Sequence, residues 1–580
     1  MFDKTKKKIV LAAIPFTLAG IVLAGCTATS VAATDSTATT QTSAADTSGV
    51  DATLTAEEVL AANDDATTVT ADEADSTTET AVTLSGDSAT IDGEGATVDG
   101  STVTITAGGT YRLSGSLAGA VVVEAPDDAV VTIILDGAEI TNTAGSALSV
   151  ITADDVALVL QDGTENTLSD ADSYAEDADV NAALYSDADL TISGEGSLTV
   201  QGNGNDGIAS TDDLKILSGT ITVTAADDGL RGKDSLTVED GTVEVTAGGD
   251  GFKSDQTEDA TQGYLWISAG DITVDSGGDA FDAATDLVIT GGDISATSGG
   301  GASAKLSADA SAKALAAGVY VIVADGAVTA DAADDAVHAD GAVHISGGEL
   351  TVSTGDDGIH ADVAVLLDGG DTTITQSTEG IEAAAITIAD GTADVTASDD
   401  GLNASSGSGE SMQDSGETIT ISGGETTINA EGDGFDSNGS ATMSAGTLTI
   451  WGPTRDGNGA IDVNGTFDVT GGTLLAAGSA GMAATPGTDS AQGWVFATAS
   501  GQSGSTVQIL ADGEVVAEYT AEKAFATVVY SGAGITSGSS YEVVVDGTST
   551  TVTAGEGGGT GMGPGGGQGG GPGGGDMPNR

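Results

Sequence analysis

One cysteine, three histidines and 3 percent aromatic residues in a chain of 580 leave little room for several kinds of chemistry. Cys26 has no partner for an internal disulfide, so the chain is not a disulfide scaffold. His338, His344 and His360 lie within one short stretch, His338 and His360 fall in one column of the repeat described below, and no Gly-x-Ser-x-Gly elbow occurs; a Ser or Cys triad is not expected. Basic residues are also scarce. Lys and Arg number 14 against 89 Asp and Glu, a formal charge of -75, so nucleic acid and anionic membrane surfaces are poor partners and cations good ones. Few aromatics beside 39 percent hydrophobic residues suit a slim core rather than a thick globular one.

What is abundant is repetition. The stretch Thr354-Gly-Asp-Asp-Gly-Ile-His-Ala-Asp362 recurs along most of the chain, with Asp357 matched by Asp206, Asp228, Asp250, Asp279, Asp335, Glu379, Asp400, Asp433 and Asp456. The common interval is 22 residues, as from Asp335 to Asp357, and the one gap of 56 (Asp279 to Asp335) splits if Gly300 marks a degenerate copy. A fixed period of this size is the mark of a solenoid. The Leu frame of leucine-rich repeats is missing, and each copy instead holds short alternating strands, such as Leu236-Thr-Val238 and Val243-Glu-Val245. Three strands and three turns per copy predict an all-β, single-stranded parallel β-helix. Two residues after the acid the side chain faces inward and is apolar throughout: Ile208, Leu230, Phe252, Phe281, Val337, Ile359, Ile381, Leu402 and Phe435. Four residues after the acid it is always small.

The segments follow. Residues 1–25 have Lys4, Lys6, Lys7 and Lys8 before an apolar run ending Leu23-Ala-Gly-Cys26, the pattern of a lipoprotein signal with lipidation of Cys26. The expectation is export, with a lipid anchor on the outer face of a bacterial cytoplasmic membrane as the only membrane contact. Residues 26–80, rich in Ser, Thr, Ala and Asp, are expected as a disordered spacer. Residues 81–204 read as the N-terminal cap and first coils, 205–480 as the regular repeats, 481–552 as a small C-terminal β domain, and the Gly-rich 553–580 as a disordered tail.

In such a stack the acids form a ladder about 4.8 Å apart, repelling by roughly 1 kcal/mol per neighbour in water. Calcium relieves such a column, since it takes six to eight hard oxygens in irregular geometry. The candidate metal ligands are Asp227, Asp228, Asp250, Asp334, Asp335, Asp340, Asp356, Asp357, Asp362, Asp399 and Asp400. The plainer reading has each Asp capping its own turn through backbone N–H groups while water and salt screen the rest. Neither the nine-residue calcium repeat nor the EF-hand spacing fits. Candidate ligand-binding residues are Arg231, Lys233 and Lys253, basic and close together, with His338 and His360 in the same outward stripe and Trp266 on the next strand. Ion pairing is the alternative role for the basic group. Trp266 belongs to a second outward column (Lys215, Thr237, Trp266, Val288, Ile322, His344, Leu366) whose apolar middle either stacks sugar rings or lies under a cover, for which the insertion from Gly300 to Gly318 is the expected element. Paired carboxylates are too common here to point to glycoside hydrolysis.

Taken together, Asp162-Gly-Thr-Glu-Asn-Thr-Leu168, Asn205-Asp-Gly-Ile-Ala-Ser210, Asp227-Asp-Gly-Leu-Arg-Gly-Lys233, Gly355-Asp-Asp-Gly-Ile-His-Ala-Asp362 and Asp456-Gly-Asn-Gly-Ala460 resemble a known family. It is the calcium-containing, right-handed parallel β-helix carbohydrate-binding proteins, exported bacterial lipoproteins with a shape like that of pectate lyases. The resemblance covers about Thr90 to Val552. It implies a monomeric, non-catalytic protein that binds cell-wall polysaccharide, cellulose-like or polygalacturonate-like, with bound calcium. Two alternatives stay open: a pectate-type lyase with Lys253, Lys233 or Arg231 as base, and a structural surface adhesin whose calcium only stiffens the fold.

Overall fold

The structure is a computed structural model and describes residues 47, 49–70, 79–175, 178–307, 310–406 and 414–557. The signal, Cys26 and most of the Gly-rich tail lie outside the described residues. What is described is all-β but for one short helix, with 42 strands joined in one sheet.

Each copy of the repeat supplies three strands, and each strand pairs in parallel with its equivalent in the next copy. Leu230–Gly232, Ser235–Val238 and Thr242–Ala247 pair with Phe252–Ser254, Tyr264–Ile267 and Asp271–Ser276. Alternation decides which side faces in: in Thr242–Ala247 the Val243, Val245 and Ala247 side chains are buried and the intervening Thr and Glu exposed. The predicted inward column is buried in every copy and forms one continuous core, from Ile208 through Phe435. In it Phe252 and Phe281 stack with ring centroids 4.8 Å apart, the spacing of the strands themselves. The turn after the second strand needs glycine: Gly241 has φ +117°, and a Cβ there would lie 2.8 Å from the Gly219 carbonyl oxygen of the rung before.

Hairpins at Glu79–Gly86/Ser88–Asp92 and Ala96–Asp99/Thr102–Ile105 are antiparallel and close one end. At the other, Phe525–Ser531 pairs antiparallel with both Thr473–Gly478 and Trp494–Gly501, and a separate four-stranded sheet follows. That end has its own core, in which Trp451 packs with Leu475, Val507 and Tyr541.

Three expectations are corrected. The rung between Asp279 and Asp335 is not at Gly300: Leu315 takes the inward position, paired with Phe281 and Val337, which puts Lys313 where the acid stands elsewhere. In the last rung Gly459, not Asp456, holds the ladder position, since its N–H donates to Asp433 Oδ1. Finally, part of the expected spacer is ordered. Residues 51–69 run as a strap along the second outward column, and the strap rather than the Gly300 to Gly318 insertion covers it. Its helix Ala56–Leu60 is closed by a Thr55/Glu58 capping box, and Ala56 and Val59 are buried against Val288 and Ile322. A five-residue helix cannot hold itself together in water, so the apolar column is what orders it. The composition argument failed because two well-placed apolar side chains suffice when the surface under them is already built. Polar anchors extend the contact: Asn63 Nδ2 donates to buried Asp286 Oδ2 (2.9 Å), Tyr264 Oη to the Asp64 carbonyl (2.9 Å), and the Thr67 and Val69 N–H groups to Asp213 Oδ2 and Thr191 Oγ1 (2.8 and 3.0 Å).

Candidate functional site

The acidic turn joins the third strand of one rung to the first of the next, so stacking places every ladder acid on one corner. In most rungs one carboxylate oxygen is used by the backbone of the next. The Asp250 N–H donates to Asp228 Oδ1 (2.9 Å), Asp279 N–H to Asp250 Oδ1 (2.8 Å), Lys313 N–H to Asp279 Oδ1 (2.6 Å), Asp357 N–H to Asp335 Oδ1 (3.2 Å) and Asp433 N–H to Asp400 Oδ1 (2.6 Å). These bonds staple rung to rung: the acids do accept backbone N–H groups, as the plainer sequence reading has it, but from the neighbouring copy and not from their own turn. The second oxygen of Asp250, Asp335 and Asp357 meets the residue three positions on, in the outward stripe, and the identity of the residues in that stripe divides the corner into parts.

Around Asp228 and Asp250 the partner is Lys253. Its Nζ bonds Asp250 Oδ2 and lies 3.5 Å from Asp228 and 3.8 Å from Asp282. Burial opposes a charge on Lys253, but the three carboxylates outweigh it and hold its pKa above the usual lysine range. Arg231 is held by Asp255 (2.7 Å) and Lys215 by Glu239 (2.9 Å). Lys233, half-buried, makes no ion pair among the described residues. The basic group is therefore largely engaged in ion pairs, and Trp266, whose Nε1 donates to Thr290 Oγ1 (3.0 Å), packs beside the strap. Lys313 reaches Asp334 (3.2 Å).

In the next two rungs the partners are imidazoles. His338 Nδ1 is 2.8 Å from Asp335 Oδ2 and its Nε2 3.3 Å from Asp340; His360 Nδ1 is 3.0 Å from Asp357 Oδ2 and its Nε2 3.6 Å from Asp362. The bond to Asp357 raises His360 to about 9 in spite of burial. Burial works against the charge on His338 too, but its bonds to Asp335 and Asp340 leave its pKa raised. Asp356 and Asp334 lie beside this pair, with donor atoms grouped with those of Asp335.

From Glu379 to Asp462 no Lys, Arg or His pairs with the corner acids among the described residues. Asn403 and Asp436 now occupy the outward stripe. Burial, then the neighbouring carboxylates, pushes Asp436 up to about 7; Asp400 rises to about 8 mainly through burial, although the Asp433 N–H opposes it. Asn403 donates its amide to Glu379 Oε2, while its buried Oδ1 has no hydrogen-bond partner. Of the candidate metal ligands, Asp399 and Asp400 fall here and Asp227, Asp228, Asp250, Asp334, Asp335, Asp340, Asp356, Asp357 and Asp362 in rungs that already contain a cation. Glu379, Asn403, Asp433, Asp436 and Asp462 were not among the ligands named from sequence. The signal was present in the stripe, which changes from Lys and His to Asn and Asp after His360. A groove of about 440 Å³ follows the Gly turns instead, past Glu195, Asp240, Asp271 and Asp293, away from this corner.

Residues 99–358 match the family described as "Carbohydrate-binding domain-containing protein". A protein of Acetivibrio thermocellus with the same description is 40% identical over 126 residues, 21% of this chain and 44% of that protein. The chain thus spans less than half the length of this relative. A solved structure described as a polysaccharide lyase-like protein from C. thermocellum, in a gadolinium derivative, is 30% identical with a TM-score of 0.38, covering 47% of this chain and 100% of that one.

Proposed function

We propose that the protein is a right-handed β-helix solenoid that binds cell-wall polysaccharide without cleaving it, with calcium at the acid corner, and that it is presented on a bacterial surface through lipidated Cys26. The family match supports carbohydrate binding. The observation that favours calcium is the buried Asn403 Oδ1, which has no hydrogen-bond partner, in the stretch that carries the carboxylates of Glu379, Asp400, Asp433 and Asp436, hard oxygens with which no basic side chain forms an ion pair among the described residues. These residues would hold the ion, which would supply positive charge for a glycan carboxylate or hydroxyl that a chain of charge -75 otherwise repels. Lyase chemistry is disfavoured because two of its three candidate bases are occupied: Lys253 is kept protonated by three carboxylates and Arg231 is pinned to Asp255. Trp451 and Trp494 are buried and Trp266 is half-covered, so a flat aromatic platform for crystalline cellulose is not on offer, and polygalacturonate is the favoured glycan.

The test is co-sedimentation of the protein with insoluble pectate, cellulose and chitin, each in calcium and in chelator, with Asp400→Asn alongside. The expected result is pelleting with pectate that chelator abolishes and the substitution weakens. No pelleting with any glycan in calcium would overturn the binding reading and leave a structural adhesin, and release of unsaturated uronides would restore the lyase.

A further inference from the structure

We propose that His338 and His360 form, with the aspartates around them, a site for a transition-metal dication of the zinc class, distinct from the oxygen-only stretch that follows and independent of glycan binding. The motif Asp335-Ala-Val-His338-Ala-Asp340 recurs in the next rung as Asp357-Gly-Ile-His360-Ala-Asp362. The register sets His338 directly against His360, with ring centroids 5.0 Å apart.

Both rings are held the same way. Nδ1 faces a buried ladder carboxylate, Asp335 at 2.8 Å and Asp357 at 3.0 Å, and Nε2 turns to the second aspartate of its motif, Asp340 at 3.3 Å and Asp362 at 3.6 Å. A carboxylate on one imidazole nitrogen is the arrangement that fixes the tautomer and orientation of a metal-binding histidine and leaves the other nitrogen to the metal. Two Nε2 atoms and two carboxylates are a four-donor set suited to zinc; at bond lengths of 2.0–2.1 Å, tetrahedral donors lie about 3.3 Å apart. Each His–Asp pair is near that separation already. One donor atom each of Asp335, His338 and His360 lie within 4.8 Å of one another, which shows that the register brings the two imidazoles and a carboxylate of adjacent rungs together; turning both rings so that their Nε2 atoms meet one ion, with Asp340 and Asp362 following, is the rearrangement that closes the site. Both histidine side chains are about one-quarter exposed, which gives an ion access. Imidazole nitrogen is a poor donor for calcium and a good one for zinc, cobalt or nickel. Elsewhere along the stripe the cation is Arg231 or Lys253, which relieves the acids but cannot ligate.

The experiment titrates zinc into the full-length chain by calorimetry with calcium in excess, so that oxygen-only sites are occupied, and follows cobalt by visible absorption. Wild type should take one more equivalent of zinc than the His338→Asn/His360→Asn double variant and give the intense d–d bands of tetrahedral cobalt, lost in that variant. Asp340→Asn/Asp362→Asn, at exposed positions that leave the core untouched, should weaken zinc tenfold or more. Equal zinc stoichiometry and cobalt spectra in wild type and both double variants, or displacement of zinc by calcium, would overturn the proposal.

Discussion

The strap over the second outward column makes the sharpest mechanical prediction, and Val59 is the place to perturb it. Val59 is buried against Val288 and Ile322, whose surface belongs to strands already built into the sheet. Removing its burial costs about 1.5–3 kcal/mol. Val59→Asp puts a carboxylate against the apolar surface of Val288 and Ile322, and an unpaired buried polar group costs a further 1–3 kcal/mol or so. A total of at least about 2.5 kcal/mol is a shift approaching a hundredfold in strap docking. Val59→Ala, losing about two carbons, should shift it by roughly tenfold.

The readout is hydrogen exchange. The amides of Val59, Ala61 and Asn63 donate to Thr55, Glu57 and Val59 carbonyls, so they are protected only while the helix exists. In Val59→Asp these and the Thr67 and Val69 amides should exchange far faster while the amides of strands such as Thr242–Ala247 do not change. Trp266, the only tryptophan not buried, should shift its emission to the red, with Trp451 and Trp494 as a constant background. Unchanged exchange over residues 51–69, or a parallel loss of protection throughout the sheet, would refute the view of the strap as an element laid on a finished surface.

Three further outcomes follow from the corner. Asp400 at about 8 and Asp436 at about 7 have folded pKa values above the ordinary carboxylate value, so their stabilising effect is complete near pH 4 and disappears as pH rises through 7 to 8; in chelator the melting temperature should fall over that window, and calcium should flatten it. A flat profile in chelator would count against the cation-free stretch. Lys253→Met strips the basic side chain that pairs with Asp228, Asp250 and Asp282 and should destabilise by about 3–5 kcal/mol at pH 8, with a smaller loss at pH 5, measured by denaturant titration. Gly241→Ala must strain a positive φ and push on the Gly219 carbonyl, and a loss of about 1–3 kcal/mol is expected; a neutral result would mean the turn can move.

The sequence made the repeat legible because one periodic column does two jobs: the inward residue two places after the acid is both apolar and in register, so Ile208 to Phe435 could be read without coordinates. The places that were misread are those where the acid itself was taken as the marker. Lys313 substitutes for it and still keeps the backbone bond, since its N–H donates to Asp279; Gly459 does the same for Asp433. The ladder bond is made by the next rung's N–H, which any residue has, so the side chain at that position is free to vary while Leu315 and Ile461 hold the phase. The strap was hidden for another reason. Ala56, Val59 and Val69 are too few to suggest order in isolation, and only the apolar surface of Trp266, Val288 and Ile322 gives them somewhere to go.

The division of the corner argues that its chemistry is set by the outward stripe and not by the acids. Asp206, Asp228, Asp250, Asp279, Asp335, Asp400 and Asp433 all offer a carboxylate to the following rung's N–H, in all three parts of the corner, so the acids alone cannot distinguish one part of the molecule from another. What changes is the neighbour three positions on: Lys253 neutralises permanently, His338 and His360 neutralise only when protonated, and Asn403 and Asp436 add oxygen instead. The three neighbours differ in what they exclude. An ammonium excludes a metal ion at any pH, an imidazole admits one that favours nitrogen, and an amide beside carboxylates admits one that favours oxygen. Moving the residues therefore ought to move the behaviour. Asn403→Lys should raise the melting temperature in chelator at pH 8 and remove the increment from calcium; if calcium still stabilised that variant as strongly, the stretch from Glu379 to Asp462 would not be where it acts.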